Sequence, residues 1–161
     1  MTTTSDIAAA IPLPNGSAPI DGVLTAGQPT AAQFQQLAAA GIRTVLDLRP
    51  PGEPRGFDEA AAARAVGMRY HNVPVTAATL ADADFDRVRE LLGDPDRRPI
   101  LVHCASANRV GALLMPYLTL DEQRTPEESL DIAHRIGLRS DELARTANSY
   151  IAARRASDTA R

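Results

Sequence analysis

The apolar positions of this chain fall into short continuous runs separated by stretches with a helical repeat. "VLTA", Val23 to Ala26, predicts a first strand closed by the Gln28-Pro29 turn. Thr30 with Gln33 three residues later forms a capping box, and Phe34, Leu37 and Ala38 share one face of the helix it starts, which ends at Gly41. "IRTVLDLR", residues 42 to 49, has the make-up of a buried strand, and "PPGEPRG" after it can only be a loop. An Ala-rich helix over residues 57 to 66 stops at Gly67, and "MRYHNVPV" follows as a strand that Pro74 places at a sheet edge. Phe85, Val88, Leu91 and Leu92 mark the next helix, and "PILVHC", Pro99 to Cys104, is an apolar strand suited to the middle of a sheet. A helix from Arg109 to Leu120 comes next. Thr125-Pro126-Glu127-Glu128 then joins an N-cap, a proline at the first helical position and a capping box; that helix stops at Gly137, and Ser140 caps the last one.

Strands that alternate with helices predict an α/β fold: a single domain with a mainly parallel central sheet of about four to five strands flanked by helices. Residues 1–20 mix Thr, Ser, Pro and Gly without a period and are expected to be a flexible arm; the domain proper runs over 21–155, with a tail over 156–161. A chain of 161 residues is long enough for one real core. Its formal charge of −3 argues against a broad nucleic-acid or anionic-membrane surface, and no apolar stretch is long enough to span a bilayer. The opening segment lacks the basic start of a signal peptide, and the single Cys rules out an internal disulfide, so a cytoplasmic location is expected. No zinc quartet is present, and neither metal nor cofactor is expected. Oligomeric state is left open.

The chemistry concentrates in "ILVHCASANRVGALL", residues 100 to 114. Ligands of α/β sheets bind beyond the carboxyl ends of the strands, which is where Cys104 falls, with a helix starting just after it. The turn Ala105-Ser106-Ala107-Asn108 would aim several backbone N–H groups at one point, and Arg109 adds a forked guanidinium for a tetrahedral oxyanion. Holding the sulfur as a thiolate takes more than the roughly 0.3 to 2 kcal/mol a helix terminus supplies. Loop amides, Arg109 and the surroundings of His103 must add the rest. Neighbours on a strand face opposite ways, so His103 is expected to order the loop from behind and not to exchange protons with substrate.

"HCASANRVG" resembles the signature loop of the cysteine-dependent phosphatases, the protein tyrosine and dual-specificity group. The wider match, through "GVLTAGQPTAAQFQQLAAAGIRTVLDLRPPGEP" and "EAAAARAVGMRYHNVPV", is similar to the bacterial phosphatase-like domains related to beta-lactamase hydrolase-like proteins. The resemblance implies a cofactor-free phosphatase acting on a phosphate ester or other oxyanion. Cys104 would attack phosphorus, while Arg109 and the amides of Ala105, Ser106, Ala107, Asn108 and Arg109 hold its oxygens. It also implies an acid from a separate loop, for which "TLADADFDR" offers Asp82, Asp84 and Asp86; acids in a first helical turn equally serve as caps. Glu53 and Arg55, in the loop after the second strand, are placed to line the pocket mouth, with solvated loop charges the more ordinary expectation, and Asp47 and Arg49 are expected to pair along one strand face.

Three departures are visible. Four residues separate Cys104 from Arg109 where the common loop has five, Ala107 stands where a glycine is usual, and Val110 replaces a hydroxyl residue. They keep open two other readings: a rhodanese-like sulfurtransferase carrying a persulfide on Cys104, and a catalytically weak anion-binding module.

Overall fold

The computed structural model describes residues 2–159. Five strands form one sheet: β1 (Ser17–Ile20), β2 (Val23–Ala26), β3 (Thr44–Asp47), β4 (Arg69–Asn72) and β5 (Ile100–His103), in the order β1-β2-β5-β3-β4. β1 pairs antiparallel with β2, and every other pairing is parallel. The helices are α1 (Thr4–Ala10), α2 (Ala31–Ala39), α3 (Glu59–Ala65), α4 (Asp82–Gly93), α5 (Asn108–Pro116), α6 (Pro126–Ile136) and α7 (Asp141–Thr159).

The strand residues sort into two apolar layers by simple alternation. Leu24, Ala26, Val45 and Leu101 pack with Ile7 of α1, Phe34 and Leu37 of α2 and Ala63 of α3. Val23, Leu46, Ile100, Val102 and Cys104 pack against α4, α5, α6 and α7. β5 is buried along its whole length, as its unbroken apolar run requires. The caps fall where the hydroxyls predict: Thr30 accepts from Gln33 N–H, Thr125 from Glu128 N–H and Ser140 from Leu143 N–H. After Pro116 the α5 path widens into one π-helical stretch, Tyr117–Asp121, which covers the rest of the helix expected to reach Leu120.

Two expectations need correction. The first twenty residues are not a loose arm. Thr3 and Asp6 cap α1 reciprocally, Ile7, Ile11 and Leu13 are buried, and β1 adds an edge strand. The proposed tail is also largely helical, because α7 continues to Thr159; residues 160 and 161 lie outside the described residues. Among the described residues no helix is long and apolar enough to cross a membrane.

Candidate active site

β5 ends at His103 in the middle of the sheet, in register with Ala26 of β2 on one side and Asp47 of β3 on the other. Cys104 follows, buried at 1% exposure on the layer that holds α5. Residues 105 to 107 turn sharply and α5 begins at Asn108. The turn is closed by Ala107 at φ 66°, ψ 1°, a left-handed conformation that an alanine adopts at a cost of roughly 1 to 2 kcal/mol. Gly137 compensates on the other side of the contact: a Cβ there would sit 3.0 Å from the Ala107 methyl. The loop carries the methyl, and the facing segment is bare.

Backbone hydrogen bonding in this segment resumes when Gly111 N–H donates to Ala107 O at 3.1 Å. Among the described residues, no protein acceptor takes the N–H groups of residues 105 to 109. Buried or half-buried amides without partners are costly, and a cluster of them at a helix start is an anion-binding arrangement.

Distant segments hold the turn in shape. Gln28 N–H donates to Ala105 O (3.1 Å), and the Asn15 side chain donates to Ser106 O (3.1 Å). Asn108 Oδ1 accepts from the backbone N–H groups of Arg139 (2.7 Å) and Ser140 (3.2 Å). Gly27 lets the loop approach, since a Cβ there would meet Ala105 O at 2.7 Å.

Arg109 is the second residue of α5, and the hydrogen bond to Glu53, ahead of the nearby Cys104, raises its pKa above the ordinary value against the opposing effect of burial. Its two terminal nitrogens grip Glu53, at 2.7 Å to Oε2 and 3.0 Å to Oε1, and Nη1 also donates to Val75 O (3.0 Å). Glu53 additionally accepts from Arg49 Nε (2.9 Å). Hydrogen bonds from the two guanidiniums, Arg109 first, carry its carboxyl from 4.5 to about 2 against the opposing effect of burial. Glu53 is thus the residue that orients Arg109, not a solvated loop charge.

Behind the loop lies a buried polar cluster. His103 Nε2 meets Glu59 Oε2 at 2.5 Å and Nδ1 lies 3.2 Å from Cys104 O, so both ring nitrogens face oxygen acceptors. This is the position expected for His103, on the far side of the strand from the sulfur. The Arg55 side chain, 7% exposed, turns inward too: it pairs with Asp47 (2.8 Å) and lies 3.5 Å from Glu59. Tyr70 donates to Asp47 (2.6 Å), and Gln28 Nε2 donates to Glu59 (2.8 Å). Asp47 therefore pairs with Arg55 and not with the Arg49 side chain, which bonds to Glu53 and Gln28. Asp47, Glu59 and His103 bring three metal-type ligand atoms close together. The lone pairs are already taken by Arg55, Tyr70 and Gln28, and a guanidinium inside the cluster makes it an ion network.

Two of the acids after β4 are engaged by other partners. Asp84 accepts from Ala81 N–H (2.9 Å) as a cap of α4, and Asp86 is held by Tyr150 and Arg154. Asp82, in the first turn of α4, contributes to the electrostatic surroundings of Arg154 far along α7. Sequence reasoning missed Asn15, Gln28, Glu59 and Arg139. Only the "AGQP" segment gave a signal, since it carries Gln28.

A mostly parallel sheet whose central strand delivers a cysteine into a loop of free amides, with an oriented arginine at the start of the next helix, is the arrangement of the cysteine-dependent tyrosine and dual-specificity phosphatase family. The comparisons agree. The family described as "PTP-NADK: DSP-PTPase phosphatase fused to NAD+ Kinase" matches residues 20–151, and the chain belongs to it. Beta-lactamase hydrolase-like proteins of Agrobacterium fabrum and Xylella fastidiosa are 32% and 31% identical over 115 residues, covering 68% and 69% of this chain. The chain spans 26% of the length of each of these relatives. Among solved structures, a DUF442 phosphatase of Shewanella putrefaciens superposes with a TM-score of 0.75 at 20% identity, over 88% of this chain and 94% of its own. The catalytic domain of the PP-IP phosphatase SIW14 of S. cerevisiae gives 0.73 at 19% identity, over 92% of this chain and 94% of its own.

Proposed function

We propose that the chain hydrolyses phosphate monoesters through a phosphocysteine intermediate. The observation that carries this reading is the set of unclaimed N–H groups from residues 105 to 109 directly after Cys104. A phosphoryl group seated there would have its equatorial oxygens bound by those amides and by the donors of Arg109 that Glu53 leaves free. The Cys104 thiolate would attack phosphorus in line with the ester oxygen, forming S–P as P–O breaks. The leaving oxygen takes a proton, and water then opens the S–P bond to release phosphate. His103, set between Glu59 and the Cys104 carbonyl, fixes from behind the strand end that carries the sulfur. Asp82 is the proposed proton donor: among the described residues its carboxylate has no hydrogen-bond partner where that of Asp84 is engaged, and the loop of residues 76 to 81 that leads to it follows Val75, in contact with Arg109.

The test is phosphate release from 4-nitrophenyl phosphate by the purified protein and its Cys104→Ser variant, with intact mass measured after rapid acid quench. The expected result is turnover that the variant lacks, and a mass gain of one phosphoryl group on the parent alone. Thiocyanate formation from thiosulfate and cyanide, with a gain of one sulfur and no phosphate release, would replace this reading with the sulfurtransferase one.

A further inference from the structure

The charges around the loop are nearly all spoken for. Arg49 and Arg109 share Glu53, and Arg55 lies between Asp47 and Glu59. Arg139 is the exception. It is exposed, and among the described residues no carboxylate lies within ion-pair distance of it, yet its Nη2 donates to Ser106 Oγ at 2.9 Å. It is also no wandering surface side chain. Its own N–H and that of Ser140 are fixed on Asn108 Oδ1, and Gly137, two residues earlier, is packed on Ala107. The α6–α7 turn that bears Arg139 is therefore fastened to the very loop that surrounds Cys104.

A guanidinium has five N–H donors, and Ser106 occupies one of them. Ser106 Oγ, accepting from Arg139, keeps its own proton to give away. Serine and arginine together thus present a row of donors beside the amide bowl, carrying a positive charge that no carboxylate among the described residues neutralises. Arg109 differs: the carboxylate that aims it also offsets its charge. From this contrast we infer that Arg139 and Ser106 form a second anion subsite, and that the preferred substrates are small phosphate esters with a second phosphate close to the one being cleaved. This rests on the phosphatase reading and narrows its substrate class.

The experiment compares kcat/KM for ethyl phosphate, ethane-1,2-diol bisphosphate and hexane-1,6-diol bisphosphate in the parent, Arg139→Gln and Arg139→Lys. A charge-assisted hydrogen-bonded contact corresponds to a preference on the order of tenfold or more. The parent should favour the ethanediol bisphosphate over ethyl phosphate by at least that factor, with hexanediol bisphosphate gaining less. Arg139→Gln should bring the ratio close to the statistical factor for two equivalent groups, and Arg139→Lys should keep part of it. Equal losses on all three substrates would mean that Arg139 only braces Ser106, and would overturn the inference, as would a parent without preference. Calorimetric binding of ethyl phosphate and the ethanediol bisphosphate to Cys104→Ser separates the two claims. Tighter bisphosphate binding without turnover in the parent would defeat the hydrolytic reading and leave the subsite standing; equal binding would defeat the subsite.

Discussion

Ala107 shows how a single residue can depart from an expected loop and still occupy its conformation. Its methyl is held at a positive φ against a bare Gly137. Ala107→Gly removes the left-handed cost of roughly 1 to 2 kcal/mol and returns about 0.4 to 1 through the freer unfolded chain. The expected outcome is a gain of about 0.5 kcal/mol in denaturant unfolding; a loss above about 1 kcal/mol would show that the methyl's packing outweighs its strain. Glu53 gives a pH-dependent signature. Its folded carboxyl titrates at about 2 instead of 4.5, so between those values the unfolded chain binds more protons. The pair's contribution is present above about pH 4.5 and fades as pH falls toward 2. Glu53→Gln should flatten that part of the stability profile in acid titrations followed by circular dichroism; an unchanged slope would mean the pair adds nothing to folding. At this scale Cys104, Arg109 and His103 were legible, because strand end, helix start and residue type coincide within a few positions. Glu59 was not: one acid in an Ala-rich helix looks solvated until the fold sets it against His103. Arg55 and Glu53 were misjudged for the same reason, since a Pro/Gly-rich loop gives no sign that its charges turn inward.

Elements were legible where local chemistry dictates them. The hydroxyl caps, the glycine stops and the apolar run of β5 each act within a few residues, so the sequence carries them whole. β1 and α1 escaped notice because their stabilisation is not local. "SAPI" has no alternation and contains a proline, and it is a strand only because β2 lies beside it. α1 is a seven-residue helix, too short to persist alone, and it forms on the layer that buries Ile7. Ile7→Ala separates the two pictures. A loose arm would lose nothing, whereas a side chain at 1% exposure should cost about 2 to 4 kcal/mol on truncation, read from the shift in urea midpoint at constant slope.

For the molecule as a whole, the sheet order puts β5 between β2 and β3, so the loop after it receives support from the carboxyl ends of both neighbours. The same arrangement sets the general-acid question. Asp82 opens α4 at the end of the 76–81 segment, which follows Val75 and its contact with Arg109. Asp82→Asn should slow hydrolysis of an alkyl phosphate by at least about tenfold and of 4-nitrophenyl phosphate far less, because the nitrophenolate leaves without a proton. Equal effects on both would remove Asp82 from the role. Topology of this kind was legible only as a class, since the alternation of elements predicts parallel pairing and leaves the strand order and the path of each connecting loop undetermined.

The clasp on the turn after Cys104 runs from Asn15 near one end of the chain to Ser140 near the start of its final helix. A nascent polypeptide would therefore hold its cysteine and arginine well before it owned a working bowl, and oxyanion capture would mark the completion of folding. An oxyanion bound in the folded loop would in turn steady the segments clasped to it, so an added tungstate should protect the chain around Asn15 from proteolysis, 91 residues before the Ser106 carbonyl it holds.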